Sequence, residues 1–261
     1  MATGQRRTSQ KKLYSLYGCL IVALILNIAI WQFSHRTFPK WPNVPKPPSE
    51  LAISSSFLGD QSLAFRVWAL ALQNFGNTGG NYEPLKNYNY LYLGQWFDLL
   101  DTLDEHSDFV PLLASYYFGA TQTPEKQLPY VIAYLEKVGV RPEKEKWRWL
   151  AQAVYLARHR LKDMDEALRL ANKLADTYQP GRPAWSLQMK ALITSDMGDK
   201  KAAYGLFKAM LATEAEHMQP QEVNFMVDYI CTKILTPQQA PHDPICAKSS
   251  DAGASVDAPA K

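Results

Sequence analysis

Apolar and polar residues recur along most of the chain with the period of an α-helix. Met164, Ala167, Leu168, Ala171, Leu174, Ala175 and Tyr178 mark a stripe at intervals of three and four, which places their side chains on one helical face. Trp147, Leu150, Ala151, Val154 and Leu161 trace a second stripe upstream, and Val223, Met226, Val227, Ile230 and Ile234 a third near the end. Two more helices are expected at about Ser56–Phe75 and Tyr90–Glu105. Breakers separate the segments: Gly79-Gly80, the run at 121–124, Gly139, Pro180-Gly181, Gly198-Asp199 and Pro220. No stretch of comparable length alternates with period two. The pattern predicts an all-α chain built of helix hairpins.

One apolar run differs in kind. Leu13–Phe33 holds 21 residues without a charge, which as a helix reaches roughly 30 Å, the thickness of a bilayer's hydrocarbon core. Tyr14, Tyr17 and Trp31 sit near its ends, where interfacial aromatic belts form. A cleaved signal peptide would have a shorter apolar core and a small-x-small site after it. This run leaves through Trp31, Gln32, Phe33, Ser34, His35 and Arg36 instead. Leu16-Tyr17-Gly18-Cys19 mimics a lipoprotein box, but the apolar segment follows the cysteine rather than preceding it. The run is therefore read as an uncleaved, single-pass transmembrane anchor in the inner (plasma) membrane. Arg6, Arg7, Lys11 and Lys12 precede it, against Arg36, Lys40 and Lys46 beyond. That small bias favours a cytoplasmic N-terminus and an extracytoplasmic body, periplasmic in a Gram-negative cell.

Composition and charge sharpen this division. A hydrophobic fraction of 47% is that of a globular chain and excludes a wholly disordered one. The net charge of +3 resides in the basic tip: without those four cations, 24 Lys+Arg face 25 Asp+Glu. A neutral body gives nucleic acid no electrostatic footprint, and none is expected as a partner. The expected organisation is a basic tip (1–12), the anchor (13–33), a proline-rich spacer (34–50), a helical cap region (51–107), helical repeats (108–236) and a flexible tail (237–261). Five prolines between positions 37 and 50 make the spacer extended and semi-rigid.

Within the body, 161–180 aligns with 197–216 at an offset of 36, pairing Ala167 with Ala203, Ala171 with Phe207 and Leu174 with Met210. A turn holding Asp163 or Asp199 precedes each copy, and Tyr155 falls opposite Ala191. A third copy runs from Phe109 through Leu128, Ile132 and Leu135 to Pro142. The order small residue, large residue, apolar residue after such a turn resembles the second helix of a tetratricopeptide (TPR) repeat over roughly 109–235. The whole chain resembles bacterial single-span envelope proteins with an exported TPR-like domain. That resemblance implies an α-solenoid, a right-handed stack of helix pairs whose concave surface takes protein partners, with no shared catalytic residues.

The candidate chemistry is sparse. Trp96–Phe109 concentrates Asp98, Asp101, Asp104, Glu105, His106 and Asp108. At about 100° per residue, Asp98, Asp101 and Glu105 share one arc of a helix and Trp96, Leu100 and Leu103 the opposite one. The acids are expected to form a solvated face, with Asp108 capping the helix that starts at Phe109. Glu214-x-x-His217 has half the pattern of a di-iron carboxylate site but no second copy. The cations and aromatics of Lys146–Lys162 are read as a core stripe plus a basic helix end. No phosphate loop, nucleophile elbow, H-E-x-x-H or C-x-x-C occurs, so no catalytic residue, metal or cofactor is expected. Cys231 and Cys246 can pair in an oxidising compartment and would be free thiols in the cytoplasm. The leading expectation is a membrane-anchored scaffold or assembly factor that binds other proteins. A subunit permanently embedded in a larger membrane complex is the alternative, and a hydrolase using Asp98, Asp101 or Glu105 a remote one.

Overall fold

The computed structural model describes residues 3–34, 43–78, 81–143, 145–179 and 181–247. Residues 35–42 of the spacer, the Gly79-Gly80 break, Pro180 and the tail from 248 lie outside the described residues. Among the described residues the chain is helical apart from one two-residue ladder, Asn77–Thr78 against Asn81–Tyr82. The helices are α1 (Thr3–Ser34), α2 (Glu50–Ser56), α3 (Gln61–Gln73), α4 (Tyr90–Leu103), α5 (Phe109–Leu112), α6 (Pro124–Gly139), α7 (Trp147–Tyr155), α8 (Met164–Asp176), α9 (Trp185–Asp196), α10 (Lys200–Thr213) and α11 (Pro220–Tyr229).

Within α1, Leu16–Ser34 is long and apolar enough to cross a membrane, and its side chains are exposed. The body begins earlier than the proline count suggests. Val44 is 1% exposed, and Pro45 O accepts a hydrogen bond from Trp96 Nε1 at 2.8 Å. The end of the spacer is thus fastened to α4.

Local sequence sets the helix ends. Asp163 and Asp199 accept from the backbone amides of Glu166 and Ala202, both at 2.9 Å, satisfying donors that the first turns of α8 and α10 leave unpaired. The matched pair Ala167 and Ala203 is fully buried, as are Ala171, Leu174 and Phe207. From α6 to α10 each helix packs against the next in sequence. Gly139 ends α6 where α7 comes closest, since a Cβ there would collide with the Leu150 backbone.

The buried residues form two clusters. The larger runs from Val44 to Leu174 and adds Ile193; the smaller joins Ala184, Ala191, Ala203, Phe207, Met218, Met226, Ile230, Ile234 and Cys246. Helix α9 supplies both, with Ile193 facing one and Ala191 the other. Residues 237–247, placed by the sequence in a flexible tail, fold back onto the smaller cluster. Tyr204 OH donates to Asp243 at 2.6 Å, Ile245 packs against the cluster, and a disulfide joins Cys246 to Cys231 with Cα atoms 5.8 Å apart.

The uninterrupted 3.6 period does not hold to the ends of three helices. α5, α7 and α11 run on into widened π turns at Leu113–Tyr117, Leu156–Leu161 and Ile230–Ile234.

Charge also ties the layers together. Glu136 of α6 accepts from Arg169 Nη1 and Nη2 of α8 at 2.7 and 2.6 Å, and from Lys173. Hydrogen bonding by Arg169, then by Lys173, overcomes the cost of burial and holds the Glu136 carboxyl down at about 2 rather than its ordinary 4.5. A carboxyl whose folded value is depressed stabilises the fold fully above its unfolded value and loses that contribution as pH falls toward its folded one. Stability should therefore decline between pH 4.5 and about 2. Glu136→Gln should be less stable than wild type at neutral pH and lose less on acidification. Denaturant midpoints of both proteins at pH 7 and pH 3 check this; equal losses on acidification would contradict it.

Candidate functional site

A concavity lies where α5, α7 and the start of α9 face one another. A cavity of about 540 Å³ is lined by Asp108, Leu112, Tyr116, Trp147, Trp149, Gln152, Arg182 and Trp185, among others. A second, of about 370 Å³, shares Tyr116 and Gln152 and extends to Tyr155 and Arg160. A third, of about 470 Å³, shares Asp108 and reaches His106, Glu143 and Lys146. Residues common to neighbouring cavities link the three, together called the groove.

Its floor is aromatic. Trp147 is 4% exposed, lies 5.4 Å from Trp185 between ring centroids, and is covered by the Arg182 guanidinium at 5.9 Å. Tyr116 (60% exposed), Tyr155 (49%) and Trp185 (40%) present ring surface to solvent. Polar groups cross between the aromatics: Ser115 Oγ donates to Gln152 Oε1 at 3.3 Å, and Gln152 Nε2 to Tyr116 OH at 3.0 Å. Arg160 donates to Thr121 O at 2.8 Å and Arg182 to Thr177 O. Among the described residues neither arginine is bridged to a carboxylate. Such a groove offers flat apolar contact, a few fixed hydrogen-bonding groups and charges of both signs, with Asp108, Glu143 and Glu145 beside Arg148, Arg160 and Arg182.

The sequence places Trp147 and Val154 in the core, where both are found. It does not reveal the groove. The available signal is large aromatics outside the buried stripe: Tyr116 and Tyr155 are exposed.

The acidic run is not a uniformly wet face. Asp98 is exposed and pairs with Lys137 at 2.7 Å, and Glu105 is exposed too. Asp101, however, is 4% exposed. Its carboxylate receives both Nη groups of Arg141, one at 3.1 Å. The expectation of a solvated Asp101 is corrected: α4 packs against α3 and α6, so its buried arc is wider than the stripe of Trp96, Leu100 and Leu103 implied. Asp108 is corrected as well. It makes no side-chain cap on α5. Ser107 Oγ accepts from Phe109 N, while Asp104 takes the His106 and Ser107 amides. Asp108 Oδ1 instead accepts from Trp149 Nε1 at 2.8 Å and Lys146 Nζ at 2.9 Å. Burial raises the Asp108 pKa, but donation by Trp149 and then Lys146 outweighs it and leaves the group below its ordinary value. Lys146, itself buried, also donates to His106 O and Ser107 O and so locks the 105–108 turn.

Glu105, His106 and Glu143 gather potential ligand atoms within 4.8 Å of one another, with His106 Nδ1 3.4 Å from Glu143 Oε2. Asp98 and Asp101 are held elsewhere by Lys137 and Arg141. His217 lies in an exposed turn after α10. No protein-family model matches the chain, and no curated protein or solved structure resembles it at a significant level.

Proposed function

We propose that the protein is a membrane-anchored, TPR-like helical scaffold that uses the α5–α7–α9 groove to bind other proteins during complex assembly at the cell envelope. The groove's exposed aromatic rings, presented by three alternate helices of the body, carry this reading. The opening helices start at 109, 147 and 185, and the helices that follow them at 124, 164 and 200. That near-regular spacing suits a stack of hairpins in which each opening helix contributes one wall of a common concave face. Aromatic side chains with arginine at the margins are the composition of interface hot spots. Helix α1 would hold this surface at an inner membrane. The Cys231–Cys246 bridge suits an oxidising compartment and so an extracytoplasmic body.

Tyr116→Ala and Tyr155→Ala remove groove surface without emptying the core, because both side chains are already exposed. Together they should weaken recovery of co-purifying proteins from solubilised membranes on the order of tenfold or more. The thermal midpoint should be unchanged. Undiminished recovery with a wild-type midpoint would remove the groove from the account.

A further inference from the structure

Helix α3 has two apolar faces. One is buried in the larger cluster through Ala64, Phe65, Ala69 and Leu72. On the opposite side Leu63 (47% exposed), Val67 (44%) and Leu70 (55%) form a stripe at intervals of four and three. Two more leucines just before α3 are exposed: Leu58, 99% exposed at a positive φ of 55°, and Leu51 of α2, 77% exposed. A non-glycine residue at positive φ is uncommon. A soluble surface seldom gathers apolar side chains in this way without a covering partner.

The position of α3 in the chain indicates what covers it. Ser34 ends α1, and Asn43 is the next described residue. That connection reaches at most about 30 Å however it is arranged. It lands beside α3: Pro45 O is bonded to Trp96 Nε1, and Trp96 stacks on Trp68 of α3 with ring centroids 4.9 Å apart. A body of about 200 residues is some 40 Å across or more. The tether is thus shorter than the body it holds, and the end of the body beside α3 stays within about 30 Å of the end of α1. Arg66 is exposed on α3 beside the stripe, Lys46 is exposed at the end of the tether, and both suit anionic headgroups, while Glu50 and Asp60 stand at the helix starts. We propose that the outer face of α3, with Leu58 and Leu51, lies on the lipid surface, so that the body is seated on the membrane in a fixed orientation. This rests on the reading of α1 as an anchor.

The test uses the full chain with Cys19→Ser, the disulfide left intact, reconstituted in phosphatidylcholine vesicles with a minor share of phosphatidylglycerol. An environment-sensitive nitrobenzoxadiazole probe is attached at Val67→Cys and, as a control, at Glu125→Cys on the exposed surface of α6. The Val67 probe should emit to the blue of the control, be quenched by nitroxides placed shallowly in the lipid, and be quenched several-fold less by iodide. Equal iodide quenching at both sites would overturn the proposal. So would a Val67 probe shielded from iodide and from lipid nitroxide that transfers energy between copies, because a second chain would then be the cover. Release of the protein by alkaline washing would instead overturn the anchor reading, and the seating with it.

Discussion

Asp101→Ala should destabilise the body by about 3–5 kcal/mol, the effect of leaving one member of a buried ion pair without its partner. Asp101 is 4% exposed, and the Arg141 side chain that grips it is 18% exposed. The guanidinium also donates to Glu105 O at 3.3 Å, so it joins the end of α4 to the end of α6. Losing the carboxylate strands a charge that water reaches only partly. Replacing both partners, Asp101→Leu with Arg141→Met, should recover most of the loss, since neither desolvated charge remains. Denaturant unfolding followed by tryptophan fluorescence checks both variants. A cost for Asp101→Ala of about 1 kcal/mol or less, typical of an exposed pair, would contradict a buried bridge.

Opening the Cys231–Cys246 bridge should cost about 3 kcal/mol in the chain-entropy account of a 15-residue loop. The loss should be local. Cys246 and Ile245 belong to the smaller cluster with Met226, Ile230 and Ile234, and the larger cluster contains none of them. Reduction, or Cys231→Ser, should speed amide hydrogen exchange in α10 and α11 while leaving α4 and α6 unchanged. Uniform acceleration would show that the two clusters unfold as one unit. No acceleration would show that residues 236–247 contribute nothing to the stability of the C-terminal end.

What could be read from the sequence followed from local periodicity and local polar chemistry. The stripes of α7, α8 and α11, the turns at Asp163 and Asp199, and the apolar character of α1 all depend on neighbours within a few residues. Asp101 could not be placed that way. A helical wheel ranks it with Asp98 and Glu105, and its partner Arg141 lies 40 residues on. Asp108 failed for the same reason, because Lys146 and Trp149 arrive from another hairpin. The groove is likewise a product of three helices meeting, and only its off-stripe aromatics are visible beforehand. The π turns had no signal that we can identify. The apolar outer face of α3 is written plainly in Leu63, Val67 and Leu70, yet periodicity alone cannot separate a second apolar face from a broad buried one.

The central claim is that partners dock in the α5–α7–α9 groove. Photoreactive phenylalanine placed at Tyr116, Tyr155 or Trp185 of the full chain in native membranes tests it most directly, with Glu125 on α6 as the outside control. The account predicts that all three groove positions form an adduct with the same protein, identified by mass spectrometry, and that Glu125 does not. Adducts of equal yield at Glu125, or none from the groove, would contradict it.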